Sequence, residues 1–248
     1  MKRNIILAVL LICFGAQTHA LDLAELSDDD RAAFRDEVRS YLLENPEIIL
    51  EAMEVLKGRE AEAELQTDLL LVQNNADAVF SNAADWVGGN LDGDITLVEF
   101  MDYRCGYCRK AHSEIAELIK SDGNIRFVLK EYPILGEESD LASRFAIAAL
   151  QIGGDSAYIA AHDALMTMRA DVSSETLQKL ASDLGLDAAA ISARMQSDAV
   201  TAVIDANRAL GAAMNVNGTP TFIVDQTILR GYVPLDGMRQ IVADERKG

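Results

Sequence analysis

Cys105-Gly106-Tyr107-Cys108 carries the sharpest chemistry in this chain. Two thiols spaced this way at the start of a helix fall on one turn, within disulfide reach of each other. The apolar run Ile95-Thr96-Leu97-Val98-Glu99-Phe100-Met101 ends just before them, and a helical pattern from Arg109 to Lys120 follows. Unpaired backbone N–H groups and the positive end of the helix dipole face the first sulfur and favour its thiolate. That is the arrangement of a thiol–disulfide redox couple. A purely structural bridge is the weaker reading, because closing so short a loop stabilises a fold by only about 2 kcal/mol.

The third cysteine, Cys13, does not compete. Residues 1–20 read as a secretory signal: Lys2 and Arg3, an apolar core from Ile5 to Phe14, then small and polar residues ending Thr18-His19-Ala20. The apolar core is too short to span a bilayer. The mature chain is expected to begin near Leu21, outside the cytoplasm, where disulfides form and persist. The net charge is −18, and the signal contributes two cations and no acids, so the remainder is more acidic still. No basic stripe offers itself to nucleic acid or anionic lipid, and the acidity is read as solubility. Half the residues are apolar, enough for a substantial core.

The elements that must position the dithiol lie on both sides of it. Residues 21–90 have a helical texture without a convincing strand. Ser27-Asp28-Asp29-Asp30 supplies caps, and Phe34, Val38, Tyr41 and Leu42 recur at helical spacing. Asn45-Pro46 ends that helix and starts another, whose apolar face is Ile49, Ala52, Met53 and Leu56. In a third helix, Leu65, Leu69, Val72, Ala76 and Val79 alternate spacings of four and three, a short heptad seam. Packing on its own chain is nearly as good an account of that seam. Stripes this narrow make little core alone, so association with other copies is the expected way to bury them. Gly88-Gly89-Asn90 reads as a linker.

From Asp94 onward a strand (95–101), the helix after Cys105 and a second strand (125–129) make a β-α-β unit with parallel pairing. An alanine-rich helical stretch, about 139–213, follows, with caps expected at Ser139, Ser174 and Asp187. Thr221-Phe222-Ile223-Val224 and Thr227-Ile228-Leu229 form a hairpin across Asp225-Gln226, and a last helix runs from about Pro234 to Ala243. The fold class is α/β: a mixed sheet flanked by helices.

A strand, Cys105-x-x-Cys108, a helix and a distant Thr219-Pro220 before a β-hairpin resemble the thioredoxin fold. The inserted helices resemble the DsbA-like bacterial thiol–disulfide oxidoreductases, a resemblance covering residues 91–248. The segment 21–90, with Asn45-Pro46-Glu47-Ile48-Ile49, resembles the N-terminal extension of oligomeric members related to the suppressor-of-copper-sensitivity protein ScsC. The resemblance implies that Cys105 is the nucleophile and Cys108 the buried resolving thiol. It also implies that Thr219-Pro220 is a cis-proline element lying against the sulfurs and offering Thr219 backbone to an extended substrate. Gly106, Tyr107 and Gly218 would face that substrate. Glu99 takes the place of a buried acid, costly among apolar neighbours unless paired; Lys130 is the expected partner, and the pair would relay the Cys108 proton.

Gly106-Tyr107 departs from the Pro-His of the strongly oxidising members and supplies no imidazole for the thiolate, so a less oxidising couple is expected. With threonine before the proline, the tuning is similar to DsbC-type disulfide isomerases. His112 would make Cys-x2-Cys-x3-His, but a fourth ligand for structural zinc is missing, and it is read as a solvated helix histidine. No metal or cofactor is expected. The resulting expectation is a periplasmic disulfide isomerase or reductase forming a homo-oligomer, dimer or trimer. Its partners would be disulfide-containing or misfolded secreted proteins and a membrane redox protein that resets the cysteines. The alternatives are a disulfide oxidase, a copper-binding or copper-protection protein using the dithiol for Cu(I), and a chaperone-like binding module with an incidental redox pair.

Overall fold

A run of three acids behind Ser27 dictates the first described element. The computed structural model describes residues 27–247, so the expected signal segment and Cys13 lie outside the described residues. Ser27 Oγ accepts the Asp30 N–H at 3.2 Å, and Asp28, Asp29 and Asp30 occupy the positive end of α1 (Asp28–Glu44). Asn45 caps α1 through its backbone N–H to the Tyr41 carbonyl, and α2 (Glu47–Asn74) starts directly after Pro46. α1 buries no residue: Phe34, Val38 and Tyr41 are all exposed, as are Ile49, Met53 and Leu56 on the first turns of α2. The described residues fall into two compact units, with the division after Arg59 and the second unit beginning at Glu60.

The second unit is built on a five-stranded sheet in the order β1-β3-β2-β4-β5: β1 (Trp86–Gly89), β2 (Ile95–Met101), β3 (Ile125–Glu131), β4 (Thr221–Val224) and β5 (Thr227–Arg230). β2 and β3 pair in parallel, with Glu99 opposite Leu129 and Phe100 opposite Lys130; the other pairings are antiparallel. The parallel pair is joined by α4 (Gly106–Asp122), which ends at Gly123 in the left-handed conformation, φ 75°. The helical insertion comprises α5 (Glu137–Thr167, kinked at Gly154), α6 (Ser174–Asp183), α7 (Ala188–Met195) and α8 (Asp198–Ala213); α9 (Leu235–Glu245) closes the chain. One face of the sheet carries Leu97, Met101, Phe127 and Leu129 against α4 and the insertion. The other carries Val98, Phe100, Val128 and Ile223 against Val72 and against Val79 of α3 (Ala76–Phe80).

Several sequence expectations are corrected here. The second and third expected helices are one helix through Asn74, and the heptad seam splits: Leu65 is exposed, whereas Val72 and Val79 are core residues of the sheet unit. Packing on its own chain therefore accounts for the end of that seam. Gly88 and Gly89 are not a linker but half of β1, and the expected boundary at residue 90 falls inside the second unit. The insertion caps shift as well. Asp187 caps α7 as expected, but Ser173 rather than Ser174 caps α6 through a reciprocal bond with Thr176. Ser139 lies inside α5, its hydroxyl donating to Asp102 at 2.7 Å.

Lys130 shows why the true boundary matters. Its ammonium is buried, donates to the Ala78 carbonyl at 2.5 Å and pairs with the buried Asp85 carboxylate. Breaking a buried ion pair costs about 3–5 kcal/mol because the remaining charge stays uncompensated. A chain beginning at Glu60 should therefore unfold at nearly the denaturant midpoint of the full chain. One beginning at residue 91 should unfold far earlier, having lost β1, Val72, Val79 and Asp85. Equal midpoints for the two truncations would contradict this packing account.

Candidate active site

The site grows from the end of β2. After Met101 the chain turns through Asp102, a fully buried carboxylate that accepts the N–H groups of Arg104 (2.8 Å), Ile134 (2.9 Å) and Leu135 (3.1 Å) and the Ser139 hydroxyl (2.7 Å). One side chain thus fixes the loop before the dithiol to the loop after β3. The Asp102 carbonyl also accepts the Cys105 N–H at 3.1 Å, setting Cys105 as the N-cap of α4.

Cys105 and Cys108 are both reduced. Cys105 is 7% exposed and Cys108 fully buried. The Cys105 thiol is held down to about 5, first by a hydrogen bond from the Cys108 thiol. A side-chain hydrogen bond from Thr219 and the backbone N–H groups of Cys108 and Tyr107 add to this, against the opposing effect of burial. Cys108 is driven far up by donating to Cys105, by burial and by the Glu99 charge. The two sulfurs are thus separated into a thiolate and a stable thiol, with no histidine between them.

The strand entering from the insertion completes the site. The Thr219–Pro220 bond is cis, and in the thiol form Cys105 Sγ donates to the Thr219 carbonyl at 3.0 Å. Thr221 donates through its hydroxyl to the Gly218 carbonyl at 2.8 Å, and Pro220 O accepts the Gly231 N–H at 3.0 Å. A groove of about 260 Å³ runs along Gly218, Thr219, Pro220 and Gly231. Above the dithiol, Tyr107 is 62% exposed and stacks on Tyr232 with ring centroids 5.9 Å apart. Tyr232 donates to Glu114 at 2.8 Å, and the Lys110 ammonium sits 4.2 Å from its ring centre. Gly106 faces open space.

Glu99 is buried, with Oε1 lacking a hydrogen-bond partner among the described residues. Its carboxyl is pushed up to about 8 by desolvation and by the Cys105 charge. The expected Glu99–Lys130 pair is not formed. Glu99 shares its sheet face with Leu129, whereas Lys130, one residue on, points to the opposite face, where Asp85 holds it. The structure therefore brings Cys105, Cys108, Thr219, Pro220 and Glu99 together, and leaves Lys130 out. Sequence reading also missed Asp102, Asp85 and Tyr232. A buried acid one residue past a central strand was the available signal for Asp102; the other two depend on contacts distant in sequence.

Fold and dithiol together are those of the DsbA-like thiol–disulfide oxidoreductases, and the chain belongs to the DSBA-like thioredoxin domain family, which matches residues 96–243. The copper resistance protein ScsC N-terminal domain matches residues 30–63. A solved thioredoxin-like oxidoreductase from Silicibacter pomeroyi is 39% identical with a TM-score of 0.65, covering 69% of this chain and 98% of that one. Salmonella enterica Typhimurium BcfH is 27% identical with a TM-score of 0.73, covering 89% and 97%. A Na(+)/H(+) antiporter NhaA of Herminiimonas arsenicoxydans is 28% identical over 165 residues, 66% of this chain and 26% of the antiporter. The chain thus spans about a quarter of that curated relative's length, and no helix among the described residues is long and apolar enough to cross a membrane.

Brief iodoacetamide treatment of the reduced protein near neutral pH should label Cys105 and leave Cys108 unmodified, as read by peptide mass mapping. Preferential labelling of Cys108 would reverse the assignment of the two sulfurs.

Proposed function

We propose that this protein is a periplasmic disulfide isomerase or reductase that assembles through its N-terminal helices. One observation carries the redox part: a stabilised Cys105 sulfur beside the carbonyl of Thr219, a residue that lines an open groove. An extended substrate segment in that groove would pair with Thr219 backbone, as strands do at a sheet edge. The Cys105 thiolate attacks one sulfur of a substrate disulfide, forming a mixed disulfide and releasing the other substrate sulfur as a thiolate. Two exits follow. The released thiolate can attack a second disulfide of the same substrate, and the thiolate this frees attacks the mixed disulfide, forming a new substrate disulfide and expelling Cys105 as a thiolate, which is isomerisation. Alternatively, Cys108 loses its proton to Glu99 and attacks Cys105, leaving the protein oxidised and the substrate reduced. Glu99, raised into the range where a carboxylate can accept a proton near neutrality, suits that role.

The isomerase side of the reading rests on the first unit. Its exposed Phe34, Val38, Tyr41, Ile49, Met53 and Leu56 ask for a partner surface, and the ScsC N-terminal domain match lies over them. Copies of this chain would bury those side chains and bring several dithiols to one misfolded substrate, raising their effective concentration. A signal-like segment at residues 1–20 supports export to the periplasm, where a membrane redox partner would reset the cysteines.

A disulfide oxidase is the second reading, favoured by the depressed Cys105 thiol, since stabilising the reduced form makes a couple more oxidising. Recovery of a scrambled multi-disulfide protein, compared with oxidation of a reduced one, separates the two. The full chain should excel at the first, and removal of residues 21–59 should give a monomer by light scattering that keeps oxidation and loses isomerisation. A monomeric full chain at micromolar concentration would sink the assembly and the isomerase reading with it.

Glu99→Gln should slow release of the mixed disulfide by about tenfold or more while leaving its formation near the wild-type rate. Stopped-flow measurement of both steps tests this; equal release rates would remove Glu99 from the mechanism.

A further inference from the structure

Behind the dithiol lies a second group of chemistry-bearing side chains that disulfide exchange does not use. His112, one turn beyond Cys108 on α4, is not solvated as expected: its side chain is 21% exposed and faces His162 and Asp163 of α5. Its Nε2 stands 3.3 Å from Asp163 Oδ1, and the two imidazoles lie 5.1 Å apart, centre to centre. One ligand atom from each of the three residues falls within 4.8 Å of the others.

The hydrogen bonds around His162 fix which of its nitrogens is available. Tyr103 donates its hydroxyl proton to Glu131 Oε1 at 2.8 Å, so its oxygen can only accept from His162 Nδ1, 3.1 Å away. His162 therefore carries its proton on Nδ1 and keeps the Nε2 lone pair for another partner. A carboxylate–tyrosine–histidine chain of this kind orients an imidazole as outer-shell partners orient metal ligands. A buried carboxylate that the exchange mechanism shares also faces this space. Glu99, nearly fully buried and with an unpartnered Oε1, lines the same cavity of about 210 Å³ as His112, His162 and Asp163. Asp163 is 59% exposed and gives a cation a route in from solvent.

We propose that His112, His162 and Asp163 form a binding site for a borderline divalent cation of the Zn2+ type. Two neutral imidazoles and one carboxylate are the donor set such ions take, with a fourth position left for water in the cavity. Bonds of about 2.0 Å in a tetrahedron set ligand atoms about 3.3 Å apart, the separation His112 and Asp163 already have. Only His162 must approach. The bound ion would tie α4 to α5 one helical turn from Cys108, without using either sulfur.

Calorimetric titration with Zn2+ of the oxidised chain beginning at Leu21, which lacks Cys13, tests this, because the disulfide then removes the remaining thiolates as competing ligands. One ion per chain is expected, with affinity at least about tenfold weaker in Asp163→Asn and in His112→Gln. Both substitutions lie at partly exposed positions, and circular dichroism checks that each variant is folded. Absence of stoichiometric binding to the oxidised wild type, or an unchanged affinity in either folded variant, overturns the site.

Discussion

The constraint on which the rest depends is the pairing of the Cys105 and Cys108 sulfurs at the start of α4, which lowers the first thiol and raises the second. It divides two chemically identical side chains into a thiolate and a thiol. Everything around it either holds the two sulfurs in that geometry or uses the difference. Asp102 gathers three backbone N–H groups and the Ser139 hydroxyl, so the loop that starts α4 cannot drift from the loop after β3. The Thr219–Pro220 segment closes from the other side, setting a backbone carbonyl against Cys105 and itself lining an open groove. Burial of Cys108 and the Glu99 charge raise the second thiol, so it stays protonated until attack requires otherwise.

The tuning differs in origin from what Gly106-Tyr107 led one to expect. Without a histidine between the cysteines, the thiolate is supported by Cys108, by Thr219 and by the first N–H groups of α4. Because the folded-state value lies below the ordinary thiol value of 9.0, the thiolate's contribution to the stability of the reduced protein is complete above about pH 9 and is lost progressively as the pH falls to about 5. Tyr107 serves a different purpose, stacking on Tyr232 to make an aromatic rim beside the sulfurs. Such a rim offers contact area to many sequences without specifying one.

What the sequence made legible follows a physical line. The dithiol, its strand, its helix and the hairpin are local patterns, and they stand where periodicity and turn residues put them, whereas the cis-proline loop against the sulfurs follows from the family resemblance alone. The β1 strand was missed because Trp86-Val87-Gly88-Gly89 is short and half glycine, composition that reads as a linker until β3 pairs with it. The Lys130 partner was misassigned for a related reason. Alternation within a strand can be counted, but register between strands cannot, and Glu99 opposite Leu129 puts Lys130 on the far face. Asp85 reaches Lys130 from 45 residues away. Likewise the heptad spacing from Leu65 to Val79 is real, yet Val72 and Val79 are claimed by the sheet of their own chain.

The most direct test of the account is a pH titration of the thiolate ultraviolet absorbance in the reduced protein, with the oxidised protein as baseline. A single thiolate should appear with a midpoint near 5 and be absent in Cys105→Ser. A midpoint near 9, the ordinary thiol value, or a low-pH thiolate that survives in Cys105→Ser, would contradict it.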